Sequence, residues 1–486
     1  MESVKNVKNK SIAINALLNT IRQTFAILFP LITLPYASRV LEVENYGKIN
    51  FAVSYVSYFS IIAALGIATY AVREGAALRN NRNLISSFAS QMFTINILAT
   101  LISYILLFSS AIFFQKTQQN FLLIVIYAFN IMLTTLGVEW IYSIYEDFLF
   151  ITIRTIFIQV ISLVLMFLFV DTKDDFYIYA VINVIANGGA NIFSFLHARK
   201  YVDLKLLFCG KLKKHLKPLV LLLGNTIAMV IYVNSDITFL GFLADDESVG
   251  IYSVAVKIYT GVKQILLALL VVAIPRINIY LSVKNKSQYN QFLSNVFMML
   301  LVVVLPVMAG VFILSKELIL IVAGDGYQGG YEALRILAVS LMFSIGANFY
   351  SFAVLIANNR EYDVLKSTII AAIANASLNF IFIAKWKETG AAATTLIAEL
   401  IVFFICFWYA KDYCNINLKF CDVASVIVGT MGMICSCIII CDIVSESLFR
   451  LLISFILSLI VYLVILEKFN NTGFNILLGK IKMCRK

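Results

Sequence analysis

The sequence predicts an all-α polytopic membrane protein with about fourteen transmembrane helices. Three observations carry that expectation. Hydrophobic residues make up 61% of the 486 and charged residues 13%, where a soluble domain has roughly 45–50% and 25%. That leaves too little polar side chain to cover a soluble surface. Apolar runs of about 20 residues recur about fourteen times and use nearly the whole chain. Lys and Arg collect in every second gap between those runs.

In chain order the runs are 12–35, 48–71, 84–114, 119–143, 149–170, 176–198, 217–241, 249–274, 291–314, 333–357, 364–384, 389–410, 422–441 and 447–466. A span in lipid must satisfy its own N–H and C=O groups, so it is a helix or a strand of a closed barrel. Barrel strands are about ten residues long and alternate in polarity. The run 447–466, SLFRLLISFILSLIVYLVIL, does not alternate, so helices are expected throughout. An even number of spans with both termini cytoplasmic puts about 26 of the Lys and Arg residues inside and about 9 outside. The acids run the other way, about 10 inside and 14 outside. The first ten residues, MESVKNVKNK, are polar and basic. No cleavage site follows them, so the N-terminus is expected to stay cytoplasmic.

The basic stretch 199–217 divides six spans from eight. It predicts an N-terminal six-helix lobe (1–200), a basic cytoplasmic linker (201–216), a second six-helix lobe (217–411), and helices 13 and 14 with a basic tail (412–486). An internal repeat points the same way. After Gly47 comes Lys-Ile-Asn-Phe-Ala-Val, and after Gly250 comes Ile-Tyr-Ser-Val-Ala-Val. Each glycine follows a leucine and a short acidic turn, and the offset is about one six-helix unit.

Several function classes are excluded. The net charge of +11 lies in short loops and reads as topology, not as a nucleic-acid surface. Cys435, Cys437 and Cys441 share one apolar run and lack the paired C-x2-C spacing of a zinc site, so no metal is expected. No G-x-x-x-x-G-K-[ST], H-E-x-x-H or G-x-S-x-G occurs, which argues against an ATPase or a hydrolase. His197 and His215 flank the linker and read as solvated residues.

The stretch Pro30-Leu31-Ile32-Thr33-Leu34-Pro35-Tyr36-Ala37-Ser38-Arg39-Val40-Leu41, with Tyr46-Gly47, resembles the first-helix signature of Wzx-type polysaccharide repeat-unit flippases. These are the O-antigen transporters of the multidrug/oligosaccharidyl-lipid/polysaccharide superfamily, which includes the MATE transporters. Glu139-Trp140-Ile141-Tyr142-Ser143-Ile144-Tyr145-Glu146-Asp147 resembles that family's aromatic segment at the end of helix 4, though Glu139 and Ser143 depart from its more neutral pattern. Asn375-Ala376-Ser377-Leu378-Asn379-Phe380-Ile381, followed by Gly390-Ala391-Ala392-Ala393-Thr394, resembles its helix 11–12 region. The resemblance implies two lobes around a central cavity, alternating access, and a location in the bacterial inner membrane. It implies an undecaprenyl-pyrophosphate-linked oligosaccharide as cargo and no cofactor. Membrane lipids are the surrounding partners, with a polysaccharide polymerase and a chain-length regulator as further candidates.

Six ionisable residues lie inside the spans, where charge costs about 2.5–3.5 kcal/mol on insertion scales and usually faces a cavity. They are Arg22, Glu139, Asp236, Lys257, Lys263 and Glu399. A lipid pyrophosphate needs cations along a low-dielectric path, and Arg22, Lys257 and Lys263 are the candidates. Arginine grips phosphate with a planar fork, while lysine acts as a point charge. Asp236, Glu139 and Glu399 are candidates for coupling to H+ or Na+. Plain alternatives stand beside each role: an Asp236–Lys257 ion pair, a capping Glu139, and an interhelical hydrogen bond at Glu399. Tyr55, Tyr58 and Tyr70 are candidate sugar-facing groups. Two other functions fit the composition, a drug/cation antiporter of the same superfamily and a membrane polysaccharide polymerase or ligase.

Overall fold

The structure, a computed structural model, describes residues 12–207, 212–282 and 285–479. Helices make up the fold, and no strand occurs among the described residues. Two compact units divide the chain, residues up to Phe242 and residues from Leu243 on. The first holds α1 (Ile12–Ala64), α2 (Ile67–Ala76), α3 (Arg82–Phe113), α4 (Gln115–Gln119), α5 (Phe121–Gly137), α6 (Glu139–Ile144), α7 (Phe148–Phe169), α8 (Phe176–Val184), α9 (Ala190–Ala198) and nearly all of α10 (Lys213–Leu243). The second holds α11 (Asp246–Ser282), α12 (Lys286–Ile313), α13 (Ser315–Ala323), α14 (Gly330–Asn348), α15 (Glu361–Ala410), α16 (Phe420–Ile443), α17 (Ser447–Lys468) and α18 (Thr472–Leu477).

Among the described residues, twelve helices are long and apolar enough to cross a membrane. Two of them exceed one crossing: α1 has 53 residues and α15 has 50. At about 1.5 Å per residue, each is more than twice the ~30 Å hydrocarbon layer. Each is interrupted at a single residue, Glu42 (φ 61°, ψ 171°) in α1 and Lys387 (φ 44°, ψ −123°) in α15. These breaks fall where the apolar pattern predicts loops, between 35 and 48 and between 384 and 389. The sequence predicts about fourteen segments and divides each of these two long helices into two. Beyond the second break the chain folds back so closely that a Cβ on Gly390 would lie 2.2 Å from the Phe382 carbonyl oxygen.

The two units share local devices. In the first, Ser86, Ser90 and Thr94 stand four residues apart on α3 and present one row of hydroxyls. That row accepts from the backbone N–H groups of Asp203, Lys205 and Leu207 at 3.0 Å each. An extended segment thereby has its polar groups satisfied without a partner strand. In the second unit, Asn290 and Ser294 on α12 accept from the N–H groups of Asn415 and Asn417. Both units also turn on one left-handed residue. Glu146 (φ 54°) precedes α7, and Asn359 (φ 58°) precedes α15. The next N–H, of Asp147 or Arg360, reaches back to Tyr142 or Leu355 at 2.9 Å.

Helix α10 is fastened to the second half of α1 by polar contacts. Ser54 donates to the Asn234 carbonyl at 2.9 Å, Asn234 Nδ2 donates to Ser57 at 3.0 Å, and Tyr58 donates to Thr238 at 3.1 Å. Such bonds are the available glue between helices when lipid removes the hydrophobic drive for association.

Candidate functional site

Two irregularities in the first unit build its polar cavity. Helix α5 ends at Val138, a β-branched residue held at φ 38°, a left-handed conformation costing about 1–3 kcal/mol. The kink starts α6 at Glu139 and turns that side chain inward. Between α8 and α9 the chain runs through a π-helical segment, Ile185–Gly189, of the kind that often marks functional sites. Gly188 and Gly137 let this segment approach α5: a Cβ on Gly188 would meet Asn130 Oδ1 at 2.6 Å, and one on Gly137 would meet the Asn191 amide at 2.8 Å. The approach fixes Asn191 beside Glu139.

Three charges meet there. Arg154 Nη2 donates to Glu139 Oε1 at 2.5 Å, and its Nη1 donates to Asn191 Oδ1 at 3.1 Å. Arg22 Nη1 stands 4.0 Å from Glu139 Oε2, while its Nη2 donates to Asn19 at 3.2 Å. Two guanidinium groups thus share one carboxylate. The Arg154 side chain is 5% exposed, but Arg22 and Glu139 are 33% and 46% exposed. They border a cavity of about 390 Å3 whose wall includes Asn96, Thr134, Thr135, Asn187, Asn191 and Trp140. Arg22 Nε is buried with no hydrogen-bond partner. The cluster therefore presents two guanidinium groups against one carboxylate beside polar space, an arrangement able to take an anion.

The second unit treats its charges differently. Lys263 on α11 donates to Glu399 on α15 at 2.8 Å, and Tyr259 donates to the same oxygen at 3.3 Å. The side chains are 20% and 5% exposed, so this is a largely sealed pair. Deeper in α15, Thr394 donates to Asn379 at 2.5 Å and Asn379 to Asn375 at 3.2 Å. A space of only about 50 Å3 lies among Phe297, Leu300, Phe343, Gly346 and Phe403.

The remaining sequence candidates fall elsewhere. Asp236 is buried on α10, and Lys257 is half-buried on α11. Tyr55, Tyr58 and Tyr70 are engaged in packing: their hydroxyls meet Ser110 at 2.6 Å, Thr238 at 3.1 Å and His215 Nδ1 at 2.8 Å. His215 is not solvated as expected. It is 4% exposed, with Nε2 on Gln91 Oε1 at 3.0 Å. His197 stacks on Phe150 at 4.1 Å. No group of three or more His, Cys, Asp or Glu able to hold a metal occurs among the described residues.

Arg154 and Asn191 are the residues that sequence reasoning missed. Arg154 lies within the fifth span, 149–170, yet counts among the cytoplasmic charges near its end. Its place in the second turn of α7, with Ile153 and Ile156 around it, is the signal that it belongs inside.

The chain resembles known proteins along most of its length. It is 24% identical over 406 residues to a putative O-antigen transporter of Escherichia coli K12, covering 82% of this chain and 96% of that one. Its fold is similar to that of the lipid II flippase MurJ in an inward closed conformation. The TM-score is 0.76 at 16% identity, over 93% of this chain and 98% of that one. An inward-facing multidrug resistance transporter of the MATE family matches with a TM-score of 0.60 at 13% identity, over 81% and 97% of the two chains. Twelve apolar helices and these relatives make it a multi-pass protein of the bacterial inner membrane. The family model described as polysaccharide biosynthesis protein matches residues 12–281, more than half of the sequence, and this chain belongs to that family.

Proposed function

We propose that this protein is a flippase for lipid-linked oligosaccharide repeat units. It moves units carried on undecaprenyl pyrophosphate from the cytoplasmic to the periplasmic leaflet by alternating access. One observation carries the reading: Arg22 and Arg154 share the single carboxylate of Glu139 beside a polar cavity. A pyrophosphate crossing a low-dielectric path needs cations that are neither solvated away nor fully neutralised. Arg22 is such a group, and the amides and hydroxyls around it suit a glycan. The names of the relatives, an O-antigen transporter and a lipid II flippase, support a transporter rather than an enzyme.

Lys257 is proposed as a further cation of the path, and Lys263 as one that serves only when an ion displaces it from Glu399. Glu139, Glu399 and Asp236 are proposed as the coupling groups for H+ or Na+. A drug/cation antiporter would instead be expected to offer a carboxylate unopposed by arginine, and Glu139 is held by one arginine and approached by a second.

The test is an export assay. Cells lacking the protein should accumulate single lipid-linked repeats on the cytoplasmic side of the membrane. Export of single, unpolymerised repeats in those cells would identify a polymerase and reject the proposal.

A further inference from the structure

A second cavity of the first unit lies apart from the polar one and shares none of its lining residues. It is a groove of about 480 Å3 between α7 and α9. Leu149, Ile153, Phe157 and Phe193 form its length, and all four are exposed apolar side chains. On a membrane span, such a face meets acyl chains.

One end of the groove is cationic. Lys200 and His197 line it there, where α9 runs into the basic stretch that topology places in the cytoplasm. Lys200 Nζ lies 5.5 Å from the centroid of the Tyr201 ring, and no carboxylate pairs with it among the described residues. The one acid at this end, Asp147, already accepts from the Tyr201 hydroxyl at 2.7 Å. Arg154 lines the same groove, with its guanidinium 5.9 Å from the Phe150 ring centroid and its buried Nε without a partner. The combination is an apolar trough that ends at Lys200, whose ammonium pairs with no carboxylate among the described residues, beside His197 and the tyrosine-bound Asp147. Basic pockets between spans on the cytoplasmic side are the usual seats of anionic headgroups.

We infer that this groove binds an anionic phospholipid, with the acyl chain along Ile153, Phe157 and Phe193 and the phosphate at Lys200 and His197. The occupant is a bulk lipid and not the transported one. Arg154, bonded to Glu139 and Asn191, stands as a wall between the groove and the polar cavity. A lipid seated in the groove would brace α7 against α9 at the point where that wall is held.

The experiment titrates full-length protein in a neutral detergent with short-chain phosphatidylglycerol or phosphatidylcholine and reads the thermal unfolding midpoint. Phosphatidylglycerol should raise the midpoint saturably, and phosphatidylcholine at equal concentration should not. Lys200→Gln should weaken the apparent affinity for phosphatidylglycerol about fivefold, the effect of one basic residue near an anionic headgroup. Lys200→Arg should retain it, Phe157→Ala should weaken it, and Lys173→Gln, beyond the other end of α7, should leave it unchanged. Equal stabilisation by both lipids would overturn the inference, as would indifference to Lys200→Gln and Phe157→Ala. Displacement of phosphatidylglycerol by equimolar undecaprenyl phosphate would also overturn it, by making the groove a seat for cargo. None of these readings depends on export, so they fail or succeed separately from the flippase assignment.

Discussion

The two units share local devices but place their embedded charges in different surroundings. Ser90 and Ser294 do the same work at an offset of about 204 residues, and Glu146 and Asn359 make the same turn at about 213. Carried along those offsets, Asn96 falls at Leu300 and Asn191 at Phe404, next to Phe403. The first unit thus keeps amides where the second has apolar and aromatic side chains. The space at these positions differs: about 390 Å3 bordered by Arg22 and Glu139 in the first unit, about 50 Å3 among apolar side chains in the second, whose larger space, about 430 Å3, is a separate and mostly apolar groove lined from α11, α12, α16 and α17. Phe403 is admitted because Gly346 has no Cβ, which would lie 2.6 Å from its ring. A buried charge means different things in the two settings. Beside polar space, Arg22 keeps a third of its side chain exposed. In the filled unit, Lys263 and Glu399 neutralise each other, and their first duty is to one another.

The sharpest way to break this contrast is Glu399→Ala. It leaves Lys263 without its carboxylate in a packed interior, a loss of about 3–5 kcal/mol when one partner of a buried pair is removed. The yield of folded protein should fall steeply. The double variant Lys263→Met/Glu399→Leu should recover most of it, since an apolar pair of similar size suits such a site. If the single variant is as stable as the parent in a denaturation assay, the pair is not sealed and the contrast fails. Arg22→Ala comes next. It should leave the amount of protein in the membrane unchanged and cut export about tenfold or more, since one charge-assisted bond is worth about 1.5–3 kcal/mol. Arg22→Lys should recover only part, because a point charge replaces a fork. Normal export in Arg22→Ala would remove the polar cavity from the transport path.

The helices were legible because lipid leaves the backbone few options. Their breaks were legible as gaps in apolar runs, and Glu42 and Lys387 fall inside the gaps. What the pattern could not express is that each gap closes to a single non-helical residue. The site was half legible. Embedded charge drew attention to Arg22, Glu139, Lys263 and Glu399, because charge in a span needs a reason. Pairing was not legible, since Lys263 finds its partner 136 positions away. Arg154 was lost because it counts with the cytoplasmic loop charges although the fifth span, 149–170, contains it. The kink at Val138 and the π-helical segment at 185–189 leave no trace in hydropathy, yet they aim Glu139 and Asn191. His215 was misread because two aromatic neighbours, Tyr70 and Phe88, come from helices distant in sequence.

The contrast can also be sharpened by transplanting it. Asn191→Phe puts the aromatic residue of the second unit into the first. It should fill part of the cavity and remove the Arg154 hydrogen bond. Overpacking and the lost bond together should cost about 1–3 kcal/mol, a smaller loss than that of Glu399→Ala. Export should fall with folded protein still present in the membrane. Unimpaired export with a phenyl ring in the cavity would mean that the cargo passes elsewhere.

The smallest effect is expected at the turn between α10 and α11. Asp245 accepts from Lys387 Nζ at 2.8 Å and from the Ser248 N–H at 2.8 Å, capping α11. Burial works to raise its pKa, but the Lys387 and Ser248 hydrogen bonds outweigh burial and hold it below the ordinary aspartate value. A carboxyl whose pKa is lowered by folding adds stability above its unfolded pKa. That stability is lost as pH falls through the folded value. Acidification from neutral to below about pH 4 should therefore weaken the hold of the Asp245 turn on Lys387, the residue where α15 breaks. The pair is half exposed, so screening by water keeps the effect modest. Asp245→Asn should flatten this part of the pH dependence while changing stability at neutral pH only slightly. Hydrogen exchange of the α11 N-terminal amides across that pH range is the measurement. An unchanged acid response in Asp245→Asn would show that the carboxylate is not what fastens the turn.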